Sequence, residues 1–249
     1  MKPGALVINL MRDNWTQRRT VREENIIRLP EAIDLRQAAM VRINPPTAHL
    51  MLTDLVDLKL GDWIIQNAAN SAVGRLVIAL AKTRGIRTVN IARREDVFHQ
   101  LSALGADICL LEGDDLPSRV AEGLQGSPVR LGLDAVGGLA TKRLGVCVED
   151  GGVVANYGRM GEEEPVFGID ELIFRGVTLT GFMLGRALAR RDRSGVQSIY
   201  DTLIREVLAG RLSAPVDTIY PIEAIREALI HAQSPGHKGK VLVAPNGMI

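Results

Sequence analysis

The 249-residue chain has little with which to bind a metal or build a disulfide framework: two cysteines and four histidines. Cys109 and Cys147 form no C-x-x-C pair, and His49, His99, His231 and His237 show no H-E-x-x-H spacing, so no metal ligand is assigned. Cys109 sits in the apolar run Ile108-Cys109-Leu110-Leu111 and reads as a small core residue. No Y-x-x-x-K, Walker-type G-x-x-x-x-G-K-[ST] or G-x-S-x-G motif occurs, which argues against a short-chain dehydrogenase triad, phosphoryl transfer on a P-loop and an α/β-hydrolase elbow. Formal net charge is +1, so no broad nucleic-acid or anionic-membrane surface is implied. The basic run Arg186 to Arg193 reads first as a solvated helix start, and together with Arg18 to Arg22 it is the only support for nucleic-acid binding, a weaker third option. No apolar run reaches membrane-spanning length and the first residues form no signal peptide. The expected compartment is the cytoplasm, or the mitochondrial matrix if a transit peptide is absent.

The chain is long enough to bury a substantial core, and its composition, 46% hydrophobic and 24% charged, is that of an ordinary soluble protein. The richest stretch runs from Gly61 to Arg94. Trp63-Ile64-Ile65 suits a buried parallel strand, and Asn67 to Gly74 supplies small residues where backbone can approach a pyrophosphate. Val73, Leu76, Val77, Leu80 and Ala81 recur at helical spacing, Gly85 ends that helix, and Thr88 to Ile91 begins the next strand. The first helical amides, near Ser71 to Gly74, lack internal partners and favour an anion. Of the three positions of a G-x-G-x-x-G fingerprint ending at Gly74, the first two hold Ala69 and Ser71. Where an NAD site places an acidic residue after the second strand, this chain has Arg93 and Arg94, which favours the 2′-phosphate of NADPH. The alternative is that both arginines begin a solvated helix, paired with Glu95 and Asp96.

Beyond Arg94 the pattern continues as helix Asp96 to Leu104, strand Asp107 to Leu111, helix Leu116 to Leu124, strand Val129 to Val136, a helix toward Val148, strand Gly152 to Tyr157, helix Ile169 to Phe174 and strand Val177 to Phe182. This rhythm predicts an α/β fold, a Rossmann-type doubly wound parallel sheet. Residues 1–46 carry a β-like run at Ala5 to Ile8 and short segments punctuated by Pro30, Pro45 and Pro46. A helix from Gln197 to Leu208 precedes a tail with a strand near Thr218, a helix from Ile222 to Ala232 and a strand Lys240 to Ala244. The first and last pieces are expected to complete each other.

These motifs give the chain its resemblance to the medium-chain dehydrogenase/reductase superfamily, in particular the zinc-free mitochondrial-type 2-enoyl thioester reductases, with the NADPH:quinone reductases behind. The resemblance is carried by Asn44 to Ala48, Gly61 to Gly74, Arg93-Arg94, Asp134 to Gly138, Asn156 to Met160 and Leu172 to Phe174. It implies a partial GroES-like β-rich catalytic lobe over residues 1–46, an NADPH-binding Rossmann domain over 47–212 and a tail, 213–249, returning to the lobe. It places Asn44 and Thr47 near the nicotinamide end, Asn70, Ser71, Ala72, Val73 and Gly74 at the diphosphate, and Arg93 and Arg94 at the 2′-phosphate. Tyr157, Gly158, Arg159 and Met160, with Phe182, Met183 and Leu184, would line the nicotinamide side, and Lys240, or Lys238, would reach in from the tail. Each has a plainer reading: Tyr157 a core aromatic, Met160 a gap filler, Lys240 an edge-strand charge.

The resemblance also implies that a proton-donating tyrosine lies in a part of the lobe preceding Lys2-Pro3-Gly4, and this chain has no tyrosine before Tyr157. The lobe is therefore expected to be truncated, naturally or by a mis-set start, and no catalytic residue is assigned. The implied activity is NADPH-dependent reduction of a 2-enoyl thioester, alternatively of a quinone. A noncatalytic NADPH-binding or dimer-forming module, with Val177 to Phe182 pairing to its copy in a homodimer, is the reading from a different class.

Overall fold

The computed structural model describes residues 2–12, 14–234 and 238–247. The chain forms two compact units, Thr47–Arg190 and the flanking pair Met1–Pro46 with Arg191–Ile249. His237 lies outside the described residues.

The flanking unit opens with an antiparallel ribbon, β1 (Val7–Asn9) against β2 (Ile26–Arg28), in which Ile8 faces Ile27. Helix α1 (Leu35–Ala38) is capped by the Asp34 carboxylate, which accepts from the Arg36 amide. Helix α2 (Asn44–Asp54) spans the point where the chain passes from one unit to the other. The sequence suggests only short proline-punctuated segments there. The helix forms because Pro45 and Pro46 fall in its first turn, where amides have no intrahelical acceptor to lose.

The central unit then alternates strand and helix: β3 (Trp63–Gln66), α3 (Ala72–Thr83), β4 (Arg87–Ala92), α4 (Phe98–Leu104), β5 (Ile108–Leu111), α5 (Leu116–Leu124), β6 (Val129–Asp134), α6 (Gly138–Cys147), β7 (Val153–Asn156), α7 (Ile169–Ile173), β8 (Thr178–Gly181) and α8 (Leu184–Ala189). All six strands are parallel, in the order β5-β4-β3-β6-β7-β8. Two-residue strand periodicity sends Ile65, Val89 and Ile91 to one face, where they pack with Leu116, Val120 and Leu144 of α5 and α6. Ala69, Ile78, Val97 and Leu101 form a separate core with Ala92. This is the expected doubly wound sheet. Strand β6 ends at Asp134, two residues short of the expected Val136, because the Asp134 side chain takes up the amides of Val136 and Gly137 and turns the chain.

The flanking unit resumes with α9 (Arg193–Leu208), β9 (Val216–Pro221), α10 (Ile225–Gln233) and β10 (Lys240–Ala244), the last strand pairing parallel to β9. Tyr200 and Ile204 of α9 pack with Ile8, Ile27, Ile33 and Val41, and the Tyr200 hydroxyl donates to the Arg42 carbonyl at 2.8 Å. Helix α9 groups with the flanking unit, where it buries its apolar stripe among the N-terminal residues. Among the described residues no helix is long and apolar enough to cross a membrane.

Candidate functional site

Strands β4 and β5 lie to one side of β3, while β6, β7 and β8 lie to the other. The order in which successive strands are added therefore reverses between β3 and β6, and the connections leaving the carboxyl ends of these two strands diverge to leave a crevice. The turn leaving β3 is set by specific contacts. The Ala69 amide donates to the Ile91 carbonyl at 3.0 Å, tying the turn to the end of β4, and the Ser71 amide donates to the Ala68 carbonyl at 2.9 Å. Ala68 adopts a left-handed conformation, φ 46°, which costs an L-residue more than glycine.

Ser71 caps α3 by accepting from the Gly74 amide at 3.1 Å. That corrects the expectation of four unpartnered amides from Ser71 to Gly74: Gly74 is satisfied by the cap and Ser71 by the turn, leaving those of Ala72 and Val73 as the helix-start donors. Gly74 is required for a different reason. A Cβ there would stand 2.6 Å from the Ala69 carbonyl oxygen and 2.8 Å from that of Ala68. The last glycine of the fingerprint thus lets the helix lie directly on the turn, while Ala69 and Ser71 meet the earlier positions with small side chains. Behind it the fully buried Gln66 amide donates to the Gly74 carbonyl at 3.0 Å and to the Asn90 side chain at 2.8 Å.

Across the switch point a polar node joins three strand ends. The buried Asp134 carboxylate accepts from the Asn67 side chain (2.6 Å), the Thr141 hydroxyl (2.6 Å), the Asn156 side chain (2.8 Å) and the amides of Val136 (2.9 Å) and Gly137 (3.1 Å). Burial alone pushes its pKa up, but the donors from Thr141, Asn67, Asn156 and Val136 together outweigh it and hold the carboxyl below the ordinary carboxylate value. Asn67 returns the connection by accepting from the Ala135 amide at 2.7 Å. Sequence reasoning placed Asn67 in the turn and Asp134 and Asn156 in motifs but did not join them with Thr141 into one node; polar residues closing the strands β3, β6 and β7 are the available signal.

The loop after β7 is sewn to the same place. Amides of Tyr157, Met160 and Gly161 donate to the carbonyls of Asp134, Ala135 and Val136 at 2.8, 2.9 and 2.9 Å, and that of Phe182 donates to the Asn156 carbonyl at 2.8 Å. A Cβ on Gly158 would lie 2.9 Å from the Ala135 carbonyl oxygen, so glycine permits this close approach. The structure thus gathers Tyr157 to Met160 and Phe182 at the ends of β6, β7 and β8, with Met183 and Leu184 next in chain. Arg159, Met160 and Met183 are exposed, whereas Phe182 and Leu184 are half-buried.

Arg93 and Arg94 follow β4 directly and both are exposed. Arg94 pairs with Asp96 at 3.4 Å, as its solvated reading anticipates, whereas the Arg93 guanidinium makes no ion pair or hydrogen bond with the described residues. Asn44, at the start of α2, and Lys240, at the start of β10, belong to the flanking unit, and Thr47 is the first residue of the central one. Lys240 is half-buried and its backbone amide donates to the Pro215 carbonyl at 2.8 Å.

Two buried side-chain atoms near the crevice have no hydrogen-bond partner, Gln66 Oε1 and the Tyr157 hydroxyl. The Tyr157 hydroxyl is buried with no hydrogen-bond partner, and burial pushes its pKa up to about 12; Ser71 moderates this without reaching hydrogen-bond geometry. A buried unsatisfied hydroxyl costs on the order of 1–3 kcal/mol. Tyr157→Phe is therefore expected to leave the melting temperature of the free protein unchanged or raised, and to reduce the stabilisation conferred by added NADPH. Thermal melts with and without nucleotide check this; a variant that melts lower alone yet keeps the full shift contradicts it.

A crevice at helix-start amides, a helix laid against the turn on Gly74, a Tyr157 hydroxyl lacking an acceptor or donor, and a guanidinium standing alone at Arg93 together fit an anionic dinucleotide. The thiols offer no nucleophile: burial raises Cys109, and burial with the Glu112 charge raises Cys147 to about 12.

Comparison with known proteins adds the family. The zinc-binding dehydrogenase family profile matches residues 72–202. Among the described residues no cluster of three or more His, Cys, Asp or Glu is placed to hold a metal ion, so the donor set present does not fit the zinc in that description. The mitochondrial enoyl-[acyl-carrier-protein] reductase of Dictyostelium discoideum is 32% identical over 98% of this chain, which spans 71% of that protein. Of solved structures, an Etr1p complex with NADP and crotonyl-CoA matches with a TM-score of 0.81 at 23% identity, over 90% of this chain and 68% of the other. A mycobacterial quinone oxidoreductase matches at 0.79 and 21%, over 89% and 68%. At those identities the structures establish the fold, and the sequence relative establishes kinship. The chain belongs to the medium-chain dehydrogenase/reductase superfamily, in the group of the mitochondrial-type 2-enoyl thioester reductases.

Proposed function

We propose that this protein is an NADPH-dependent oxidoreductase that reduces the carbon–carbon double bond of 2-enoyl thioesters, on CoA or acyl carrier protein. The observation that carries the cofactor half of this reading is the pairing of a small-residue turn at the sheet's switch point with Arg93 at the end of the neighbouring strand. When bound, NADPH supplies a hydride from nicotinamide C4 to the β-carbon of the thioester.

The chain's own residues hold and orient. The amides of Ala72 and Val73, with Asn70 and Ser71, take the diphosphate, where the positive end of α3 favours its charge. Gly74 keeps α3 close to the turn. Arg93 takes the 2′-phosphate, with Arg94 beside it once the Asp96 pair is exchanged. Tyr157, Gly158, Arg159 and Met160, with Phe182, Met183 and Leu184, line the nicotinamide end, to which Asn44, Thr47 and Lys240 are also assigned. The Asp134 node fixes the ends of β6 and β7 and so the loop that carries Tyr157.

A second reading, quinone reduction, is favoured by one observation. The Tyr157 hydroxyl has its pKa pushed up by burial and is a poor acid at neutral pH. An electron-poor quinone takes hydride without a dedicated protein acid. A homodimer is proposed through β8, the edge of the six-stranded sheet, where Ile169, Ile173 and Phe174 expose apolar side chains nearby. An aqueous compartment, the cytoplasm or the mitochondrial matrix, accords with relatives named as mitochondrial enzymes.

The test is NADPH oxidation followed at 340 nm with crotonyl-CoA and, separately, benzoquinone. Turnover with crotonyl-CoA above the no-acceptor rate is expected. No stimulation by either acceptor, from protein that NADPH still stabilises in a thermal melt, would reduce the chain to a noncatalytic nucleotide-binding module. Absence of NADPH stabilisation as well would remove the cofactor assignment.

A further inference from the structure

A cavity in the flanking unit uses none of the residues assigned to the nucleotide. It encloses about 670 Å³, within the range of small-molecule sites. Much of its wall is apolar, with Leu6, Ile8 and Leu29 at the ribbon, Leu229 from α10 and Val241 and Val243 from β10, while Asn9, Asn14, Thr16, Gln17 and Asn246 add uncharged polar groups. At its mouth Trp15 is 62% exposed and Val7 38% exposed, a cost in apolar hydration that the chain itself leaves uncovered.

The charge lining the cavity has one sign. Arg18 and Arg42 line it, and none of the described lining residues is Asp or Glu. Arg42 is fixed in the wall by donating from Nε and Nη2 to the Leu10 carbonyl at 3.2 and 2.8 Å. Arg18 is exposed, and its side chain is not committed to any carboxylate. An apolar trough with cationic side chains and no anionic ones is complementary to a single-chain amphiphile with an anionic head. We propose that this groove binds a long-chain fatty-acid anion, its alkyl chain against Leu6, Leu29, Leu229 and Val243 and its carboxylate toward Arg18 and Arg42. The proposal concerns a site separate from the nucleotide crevice and stands or falls independently of the reductase reading.

Trp15 provides the reporter, because the other tryptophan, Trp63, is buried in the core of the central unit, at the start of β3. Intact protein is titrated with decanoate and laurate below their micelle concentrations, with dodecyltrimethylammonium as the cationic match, and its sedimentation with anionic phospholipid vesicles is measured in parallel. Saturable one-to-one laurate binding with a blue shift of Trp15 emission is expected, about tenfold tighter than decanoate for the two added methylenes. The cationic detergent should bind at least about tenfold more weakly, as loss of a charge-assisted contact implies. Arg18→Glu, on the surface, should weaken laurate by a similar factor. Ala232→Trp, from an exposed position on α10 that lines the cavity, should abolish binding by filling it. Both variants should melt as the parent does, so lost binding is not lost folding. Equal binding of cation and anion, non-saturating uptake, binding to vesicles alone, or unchanged affinity in the two variants would each overturn the proposal.

Discussion

Asp134→Ala is expected to lower the stability of the central unit by on the order of 4 kcal/mol, because five donors converge on a carboxylate with no exposure to solvent. Removing the acceptor leaves the side chains of Asn67, Thr141 and Asn156 and the amides of Val136 and Gly137 to find new partners inside the protein. A loss of that size corresponds to a melting temperature lower by roughly 10 °C in a protein of this length. Asp134→Asn should fare little better: one carboxylate oxygen becomes an amide nitrogen that faces donors instead of accepting from them. Differential scanning calorimetry at neutral pH reads both. A melting temperature within about 2 °C of the parent, no more than the shift of a single kilocalorie, would show that the node is not structural.

The same carboxylate gives the effect a pH signature. Its folded-state pKa is held below the ordinary carboxylate value, so its stabilising contribution is complete above the unfolded-chain pKa and is lost as pH falls through the lower folded value. The gap in melting temperature between the parent and Asp134→Asn should therefore hold from neutrality down to about pH 5 and narrow below it. A gap that widens with acidification would contradict the assignment.

Arg93→Ser should raise the KM for NADPH by about tenfold to a hundredfold while leaving that for NADH nearly unchanged, the range expected for losing one or two hydrogen bonds to a charged phosphate. The physical basis is that Arg93 is exposed at the end of β4 and its guanidinium is not committed to another side chain. Arg94→Ser should cost less, since part of that guanidinium's interaction is spent on Asp96 at 3.4 Å, an exposed pair of little net worth. Where turnover is too slow, titration of the two nucleotides by thermal shift gives the same comparison. Parallel loss for NADPH and NADH would move Arg93 from specificity to general support of the loop, and no change for either would remove it from the site.

Residue patterns made much of the central unit legible. Buried parallel strands announce themselves as short apolar runs such as Trp63-Ile64-Ile65, helices as apolar recurrence at three and four residues, and their ends as glycines; Gly85 and Gly105 both adopt positive φ where the helices before them close. The helix from Asn44 to Asp54 was illegible because two prolines near its start normally punctuate a chain, and only their placement in the first turn makes them compatible with it. The unit to which α9 belongs was likewise hidden. Its amphipathic stripe is visible in sequence, but which apolar surface receives Tyr200 and Ile204 depends on contacts made with residues more than a hundred and fifty positions away.

The turn itself shows the division most sharply. Composition and order alone determined that small residues follow a buried strand, that Gly74 opens a helix and that two arginines stand where an acidic residue binds ribose in NAD sites, because these are properties of neighbours along the chain. Tertiary structure decided why the sixth fingerprint position must be glycine, through the carbonyls of Ala68 and Ala69 at 2.8 and 2.6 Å from any Cβ there. It also decided which arginine is already paired, and that Asn67, Asp134, Thr141 and Asn156 form one buried node. Hydrogen bonds and steric contacts between distant residues exist only once the strands are ordered side by side, and no local periodicity encodes that order.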